Sequence, residues 1–493
     1  MAYIICAKNN ILFSGFLLNP IDGNSYLAKM SMGYSGEWTF SLPYTANAPS
    51  NVVLFVFYLF LGHIARLTQL PLILVFHLAR LFSSLLLLTS INSLIEKFQM
   101  IDESNRIKML AVLVFGSGMG WIVLMTGAIT SDFWVAEAFP FLSSFTNPHF
   151  PFSLFLMIEL LLAIQKNDHR FRKFGKLGLF SLLLSIVLPF GLGIVLMIEI
   201  CVQVWNFISR RKIKIYEFCM IALCGLPFVV YDFLITLNDP YIEAWNAQNL
   251  TPSPPIWDIL ISFSPLLFFS ILGTTKIFKN KNPSGLEKSL IVWLFAGLAL
   301  INIPFSLQRR FMLGLYIPIA ILGFIGFQEL SKKLAFFRKS ISWIILLICI
   351  GLTNILIIFG GISGVAKNNT RLTISRDEMD AMLWLRNNSE KDDIVLASAD
   401  IGLLIPVYSA NDVIYGHPFE TLNGMEEQQF VKDVFSGMIN EEELKQIIDT
   451  RKIDYIFYGE REKVFGGRID FGEFHTVYSN ETVNIYESVL ELK

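Results

Sequence analysis

The sequence predicts a mainly α, polytopic membrane protein of about ten transmembrane helices followed by a small C-terminal α/β domain outside the membrane. Three observations carry that reading. The chain is 54% hydrophobic and 14% aromatic with only 16% charged residues, proportions suited to lipid rather than water. Apolar runs of spanning length recur between residues 72 and 363, separated by short basic loops. Residues 367–493 hold 13 Lys+Arg against 24 Asp+Glu while residues 1–366 hold 26 against 17, so the net charge of -2 hides a basic membrane part and an acidic tail.

Roughly 17 to 25 apolar residues cross a bilayer. Runs near 72–95, 109–130, 149–165, 215–237, 256–273, 288–305, 311–330 and 340–363 meet that requirement. Residues 174–206 are too long for one span and are interrupted at Leu188-Pro189-Phe190-Gly191, which predicts two short helices around a tight turn. Segments 97–108, 166–176, 210–214, 276–288 and 332–339 are basic and therefore expected on the cytoplasmic side. Segments 131–150 and 238–256 contain no Lys or Arg. Alternation then places the tail and residues 1–71 outside, which leaves Val52 to Leu67 as an interfacial helix against the outer leaflet. The domains read as 1–71, an external first loop with interfacial helices; 72–366, the membrane domain; and 367–493, a soluble extracytoplasmic domain. Residues 1–18 read as loop and not as a signal peptide, because Lys8, Asn9 and Asn10 interrupt too short an apolar stretch.

Several classes are disfavoured at once. An acidic tail joined to a mildly basic membrane part gives no broad cationic face for a phosphate backbone, so nucleic acid is not an expected partner. The five cysteines, Cys6, Cys201, Cys219, Cys224 and Cys349, are scattered and form neither a disulfide framework nor a metal-ligand spacing. The sequence has no P-loop, no Gly-rich dinucleotide fingerprint and no nucleophile elbow.

The candidate functional residues lie in segments expected outside. Asp22 sits in the polar stretch Asn19 to Met30 and reads either as turn and N-cap chemistry or as a carboxylate stationed at the membrane surface. Asp132, Glu137 and His149 occupy an aromatic-rich loop, where they are either solvated beside an interfacial belt or lining a site. Gln308-Arg309-Arg310-Phe311 falls at an external span boundary, where few basic residues are expected; it suits headgroup snorkelling or forked hydrogen bonds to phosphate. His77 and Arg80, spaced i and i+3 inside an apolar run, share one helix face and are expected to face protein. Lys29, at helical spacing from Tyr26, reaches either a phosphate or the headgroups. In the tail, Arg376 to Asn388, Ile394 to Ser398, Val413 to Tyr415, Glu441 to Asp449, Tyr455 to Tyr458 and Val483 to Tyr486 alternate helical and strand patterns. Within it, His417 and Glu420 of Tyr415 to Thr421 read as a loop packed over the membrane part or as acceptor contacts.

Residues 19–30, Phe40 to Asn47 and the later landmarks resemble the GT-C superfamily of polyprenyl-phosphate-sugar-dependent glycosyltransferases, in particular the protein mannosyltransferase and aminoarabinose transferase group. The resemblance implies a GT-C-like fold and an inverting transfer of sugar from an undecaprenyl- or similar polyprenyl-phosphate donor to a lipid, glycan or protein acceptor. It places this chemistry at the outer face of the cytoplasmic membrane. Asp22 matches the acidic residue of the family's first external loop and becomes the general base. Arg309 and Arg310, with Lys29 and Arg80, are the implied donor-phosphate contacts. Asp132, Glu137 and His149 fall on the second external loop, and Asp22, Glu137 and His149 are the set that would hold a divalent cation, the one cofactor the resemblance allows.

Two departures mark the chain. Family members begin with a span before the acidic loop, whereas here residues 1–18 read as loop, so either translation starts upstream of Met1 or that helix is absent. The first loop also offers one acid at the key place, not the Asp-Glu pair of protein mannosyltransferases, which favours a lipid or glycan acceptor over protein. The rival readings are a transporter or flippase of lipid-linked glycans and an inactive GT-C-like scaffold.

Overall fold

The apolar runs become helices, and the acidic tail becomes a sheet flanked by helices, in the computed structural model, which describes residues 1–48, 50–98, 103–166, 169–279, 282–304, 306–466 and 474–488. The chain divides into two compact units, one of Met1–Phe76, Phe233–Asn249 and Gly361–Lys493, the other of His77–Asp232 and Leu250–Gly360.

Among the described residues four helices are long and apolar enough to cross a membrane: Leu72–Glu96, Pro189–Ile208, Ile215–Asn238 and Ser340–Ala366. Two further pairs qualify only as bent spans, Asn105–Phe115 with Gly120–Thr126 at 54° and Ile256–Ser262 with Leu266–Lys279 at 78°, which brings the count to as many as 6. Other apolar helices fall outside that measure. His149–Gln165 and Gly285–Leu300 are 17 and 16 residues long. Arg170–Val187 opens on Arg-Phe-Arg-Lys, and Tyr316–Lys333 closes on charged residues. The expected break in residues 174–206 falls at Leu188, which is extended with φ -157° and ψ 88° while Pro189 begins the next helix. A residue before proline is pushed from the helical region, and proline itself is suited to the first helical position.

In the helical unit, polar contacts sort the connecting loops to two ends. At one end Lys173 pairs with Glu217 at 2.8 Å, Lys214 Nζ donates to Gln165 Oε1 at 2.9 Å, and Arg211 donates to the Pro283 carbonyl at 3.3 Å. At the other, a loop lacking Lys and Arg meets the segment that carries Arg309: Thr251 N–H donates to the Ser306 carbonyl at 2.8 Å and Arg309 N–H to that of Thr251 at 3.0 Å. Helices His149–Gln165 and Gly285–Leu300 run between these ends in opposite directions, a rise of about 25 Å.

Two helices of this unit touch backbone to backbone. A Cβ at Gly273 would lie 1.9 Å from the Leu322 carbonyl oxygen, and one at Gly326 would lie 1.9 Å from that of Phe269. Small residues permit such close packing where lipid offers little hydrophobic drive for association. Gly326→Val is therefore expected to separate Leu266–Lys279 from Tyr316–Lys333 and to cost about 1–3 kcal/mol or more, read as a lowered unfolding midpoint in detergent.

In the other unit, residues 1–18 are structured where the sequence suggested loop. Ala2–Lys8 is a helix burying Ala2 and Cys6 with Val365 and Leu372. Ile11–Phe13 pairs antiparallel with Thr373–Ser375, Ile11 opposite Ser375 and Phe13 opposite Thr373. The strand exists because a distant partner satisfies its backbone, which local pattern cannot reveal. Helix Pro20–Ser35 packs on Val56–Thr68, the latter overlapping the stretch Val52 to Leu67 expected to be helical.

Among the described residues the tail sheet has five strands in the order Asp412–Val413, Ile394–Leu396, Tyr455–Tyr458, Asn484–Glu487 and His475–Ser479. The first three are parallel and the last two antiparallel additions. Helices Arg376–Asn388, Gly424–Phe435 and Glu441–Arg451 accompany it. Leu396, Val434, Phe435, Ile448 and Ile456 fill its core.

Candidate active site

Asp22 lies in the first turn of Pro20–Ser35, after Asn19 in the left-handed region and Pro20 at the first helical position. The unsatisfied N–H groups of that turn favour a negative charge there. Ser25 and Lys29 follow at i+3 and i+7, so all three share one face. Along this face exposure falls steeply. The Asp22 side chain is 50% exposed, whereas that of Lys29 is 0% exposed.

Lys29 Nζ donates to Ser25 Oγ at 2.6 Å and to both oxygens of Glu420 at 2.9 Å, and it sits 4.4 Å from the centroid of the Phe55 ring. Ser25 Oγ also reaches Glu420 Oε1 at 2.5 Å. Burial alone would raise the Glu420 carboxyl, but the charge of Lys29 and the bonds from Ser25 and Lys29 outweigh it and hold it below the usual range. An ammonium has three protons to give. Those of Lys29 are directed to Ser25 and Glu420, which makes it a clamp between helix Pro20–Ser35 and the loop 415–421.

That loop also presents His417. Its Nδ1 accepts the backbone N–H groups of Phe419 at 3.2 Å and Glu420 at 3.1 Å. A nitrogen accepting two amides carries no proton, so the neutral ring bears its proton on Nε2. Nε2 has no hydrogen-bond partner among the described residues, and Asp22 Oδ1 stands 3.8 Å away. His417 is 3% exposed, so a buried imidazole N–H faces a half-exposed carboxylate. Tyr44, with its ring 5.7 Å from that of His417, closes the inner side and donates to the Leu403 carbonyl at 3.2 Å.

The helical unit holds the other expected residues. Glu137 is 5% exposed, and its Oε1 stands 3.6 Å from Arg309 Nε and 3.6 Å from Arg310 Nη1. These are ion pairs too long for hydrogen bonds. The Arg309 guanidinium lies over the Trp134 ring at 4.9 Å. Arg309 and Arg310 side chains remain 22% and 28% exposed. The short helix Gln308–Met312 carries both, and the Gly314 N–H donates to the Glu137 carbonyl at 2.9 Å, fixing that loop against the arginines.

Asp132, close to Glu137 in sequence, does something different. It is 0% exposed; Oδ2 accepts from Gly120 N–H at 3.0 Å and Thr353 Oγ1 at 3.0 Å, and Oδ1 from Thr130 Oγ1 at 2.7 Å. The Ser262 hydroxyl is 3.3 Å from Asp132 and 2.6 Å from Asp258, so its single proton serves Asp258 better. Burial pushes the Asp132 carboxyl above its usual range against those bonds. The residue ties four segments together. Asp132→Ala strands the Gly120 N–H and is expected to cost about 1–3 kcal/mol, with Asp132→Asn costing less because it keeps an acceptor. Thermal unfolding of the two variants measures the difference.

Arg80 donates to the Phe145 carbonyl and so fastens Leu72–Glu96 to Pro140–Thr146. His149, 6% exposed, begins helix His149–Gln165 with its ring against Phe150 at 3.9 Å. Among the described residues no three His, Cys, Asp or Glu side chains are gathered to hold a metal ion. Sequence reasoning overlooked Ser25, Trp134 and Thr353. Ser25 was within reach of it, being one turn from both Asp22 and Lys29.

No family model matches the sequence, and no curated protein matches it. Solved structures do match in fold. The archaeal oligosaccharyltransferase AglB from Archaeoglobus fulgidus, in complex with an inhibitory peptide and a dolichol-phosphate, superposes with a TM-score of 0.52 at 12% identity, over 93% of this chain and 68% of that one. ArnT from Cupriavidus metallidurans in the apo state superposes with a TM-score of 0.51 at 12% identity, over 99% of this chain and 96% of that one. The chain therefore shares its overall fold with these two solved structures.

Proposed function

We propose that this chain is an integral membrane glycosyltransferase that moves a sugar from a polyprenyl-phosphate donor to a hydroxyl acceptor on a lipid or glycan, with inversion at the anomeric carbon. The observation that carries the reading is Asp22, a half-exposed carboxylate backed by a buried His417 whose tautomer is set by two backbone amides. Asp22 takes the acceptor proton as the acceptor oxygen bonds to the anomeric carbon, and the bond from that carbon to the phosphate oxygen breaks. The His417 N–H steadies the carboxylate while it remains charged, which keeps it aligned for one direction of attack. Arg309 and Arg310 hold the departing phosphate, a task for which a planar guanidinium with several donors is suited. Glu137 keeps those guanidiniums oriented, and Lys29 and Arg80 act by position through Glu420 and the Phe145 carbonyl.

The fold shared with an oligosaccharyltransferase and with ArnT supports this class of chemistry. Counting the shorter apolar helices as further spans gives about ten. By the sorting of basic loops to one end, that end is cytoplasmic and the tail lies outside the inner membrane.

The test is sugar release from a panel of radiolabelled polyprenyl-phosphate hexoses in proteoliposomes. Release by the wild-type chain, with label appearing on an added acceptor lipid or glycan, supports the proposal. Movement of the labelled lipid between leaflets without release would instead make the protein a flippase.

A further inference from the structure

At the basic end of the helical unit lies a cavity of about 340 Å³ whose charged lining is entirely cationic: Arg211, Lys212, Lys214 and Lys288. Four like charges around one space repel unless a counter-charge enters, and water screens them poorly where they are buried. Lys288 is the most demanding of them. It is 2% exposed, and its Nζ hydrogen-bonds to Asn206 Oδ1 at 2.5 Å with no carboxylate paired to it among the described residues. A buried ammonium held by a neutral amide and by the face of the Trp205 ring at 5.6 Å, with no counter-charge, leaves much of its desolvation cost uncompensated.

The nearby carboxylates have partners of their own, although Glu217 and Glu199 also act on the charge of Lys214. Glu217 pairs with Lys173 at 2.8 Å, Glu199 accepts from Gln203 at 3.1 Å, and Glu287 closes a capping box with Ser284. None of the three lines the cavity. The walls are preorganised: Arg211 is anchored on the Pro283 carbonyl and on Asn282, and Lys214 on Gln165 and the Ile164 carbonyl at 2.9 Å. Helix Gly285–Leu300 also begins in this wall, so its positive end adds to the same field.

We propose that this cavity is a binding site for a phosphate-bearing anion, either the headgroup of an anionic membrane lipid or a soluble phosphate compound. The shape and charge suit a phosphate near Arg211 and Lys288, with Lys212, which is exposed, drawing the anion in from solution. The site draws on none of the residues assigned to sugar transfer, so it stands or falls independently of that assignment.

The experiment uses the full chain purified in neutral detergent. One arm adds phosphatidylglycerol or phosphatidylcholine and counts retained lipid by native mass spectrometry; the other titrates pyrophosphate calorimetrically at constant ionic strength. Retention of phosphatidylglycerol over phosphatidylcholine assigns the lipid source, and saturable pyrophosphate binding assigns the soluble one. In either case Arg211→Gln and Lys288→Met are each expected to weaken binding about tenfold. Because Lys288→Met changes a buried residue, the exposed Lys212→Gln provides a variant with an unperturbed fold, expected to weaken binding about threefold. The proposal is overturned if neither probe binds, or if Lys212→Gln and Arg211→Gln bind as tightly as wild type.

Discussion

Asp22→Asn is expected to lower sugar transfer by about 10² to 10⁴-fold, the range that a positioned general base supplies. Asparagine preserves the size of the side chain and keeps an oxygen facing His417, but it cannot take a proton from the acceptor. Because Asp22 is half exposed and its contact with His417 is 3.8 Å, the unfolding midpoint should hardly move. Donor KM should also stay close to the wild-type value, since the loss falls on a step made only in the transition state. His417 offers the finer test of the arrangement. Removing its N–H in His417→Leu takes away the polar group that faces the carboxylate, so sugar transfer should fall. His417→Gln, which can still offer an N–H, should retain more activity than His417→Leu. A wild-type rate in Asp22→Asn would remove Asp22 from the chemistry.

Much of the helical layout was legible because apolar length is a local property. Ile215–Asn238 and Ser340–Ala366 follow their sequence runs closely, and the break at Leu188 follows from proline chemistry that one residue suffices to announce. The run 256–273 has spanning length but contains Pro265, and the helix stops at Ser262 and resumes at Leu266. The run 109–130 likewise bends, leaving the helical path at Gly116 and Gly118, where a Cβ would meet Val112 and Ser262 backbone. Tyr455–Tyr458 was predictable as a strand because its four residues are β-branched or aromatic.

The chemistry was less legible, for a different reason. Asp22, Arg309 and Arg310 can be singled out from residue type and position, but what surrounds them is tertiary. Glu420 meets Lys29 across 391 positions of chain, and nothing in either neighbourhood announces the pairing. Asp132 and Glu137 look alike in sequence, two acids in one aromatic loop. Only packing makes the first a buried tie between segments and the second the partner of two arginines.

The pairing of Lys29 with Glu420 predicts the largest effect on stability. Lys29→Met leaves a buried carboxylate holding only Ser25, and Glu420→Gln leaves a fully buried ammonium facing a neutral amide. Removing one partner of a buried ion pair typically costs about 3–5 kcal/mol, because the remaining charge loses its counter-charge and cannot regain water. The double variant Lys29→Met with Glu420→Met replaces the pair by apolar side chains among Phe40 and Phe55, so its loss should be well below the sum of the single losses. Unfolding midpoints of the three variants in detergent give the coupling directly. Acid provides a second reading of the same pair. The Glu420 carboxyl is held below its ordinary value, so the unfolded chain takes up this proton first as pH falls. Its stabilisation is therefore complete above the ordinary glutamate range, near pH 4.3, and is lost as pH falls through the depressed value. Glu420→Gln should flatten that acid decline. Transfer should separate from stability in the double variant: the loop 415–421 would be held by apolar contact alone, so His417 would lose its fixed approach to Asp22 and activity would stay low even where the fold recovers. Full transfer activity in a stable double variant would show that the clamp serves folding and not the alignment of His417 with Asp22.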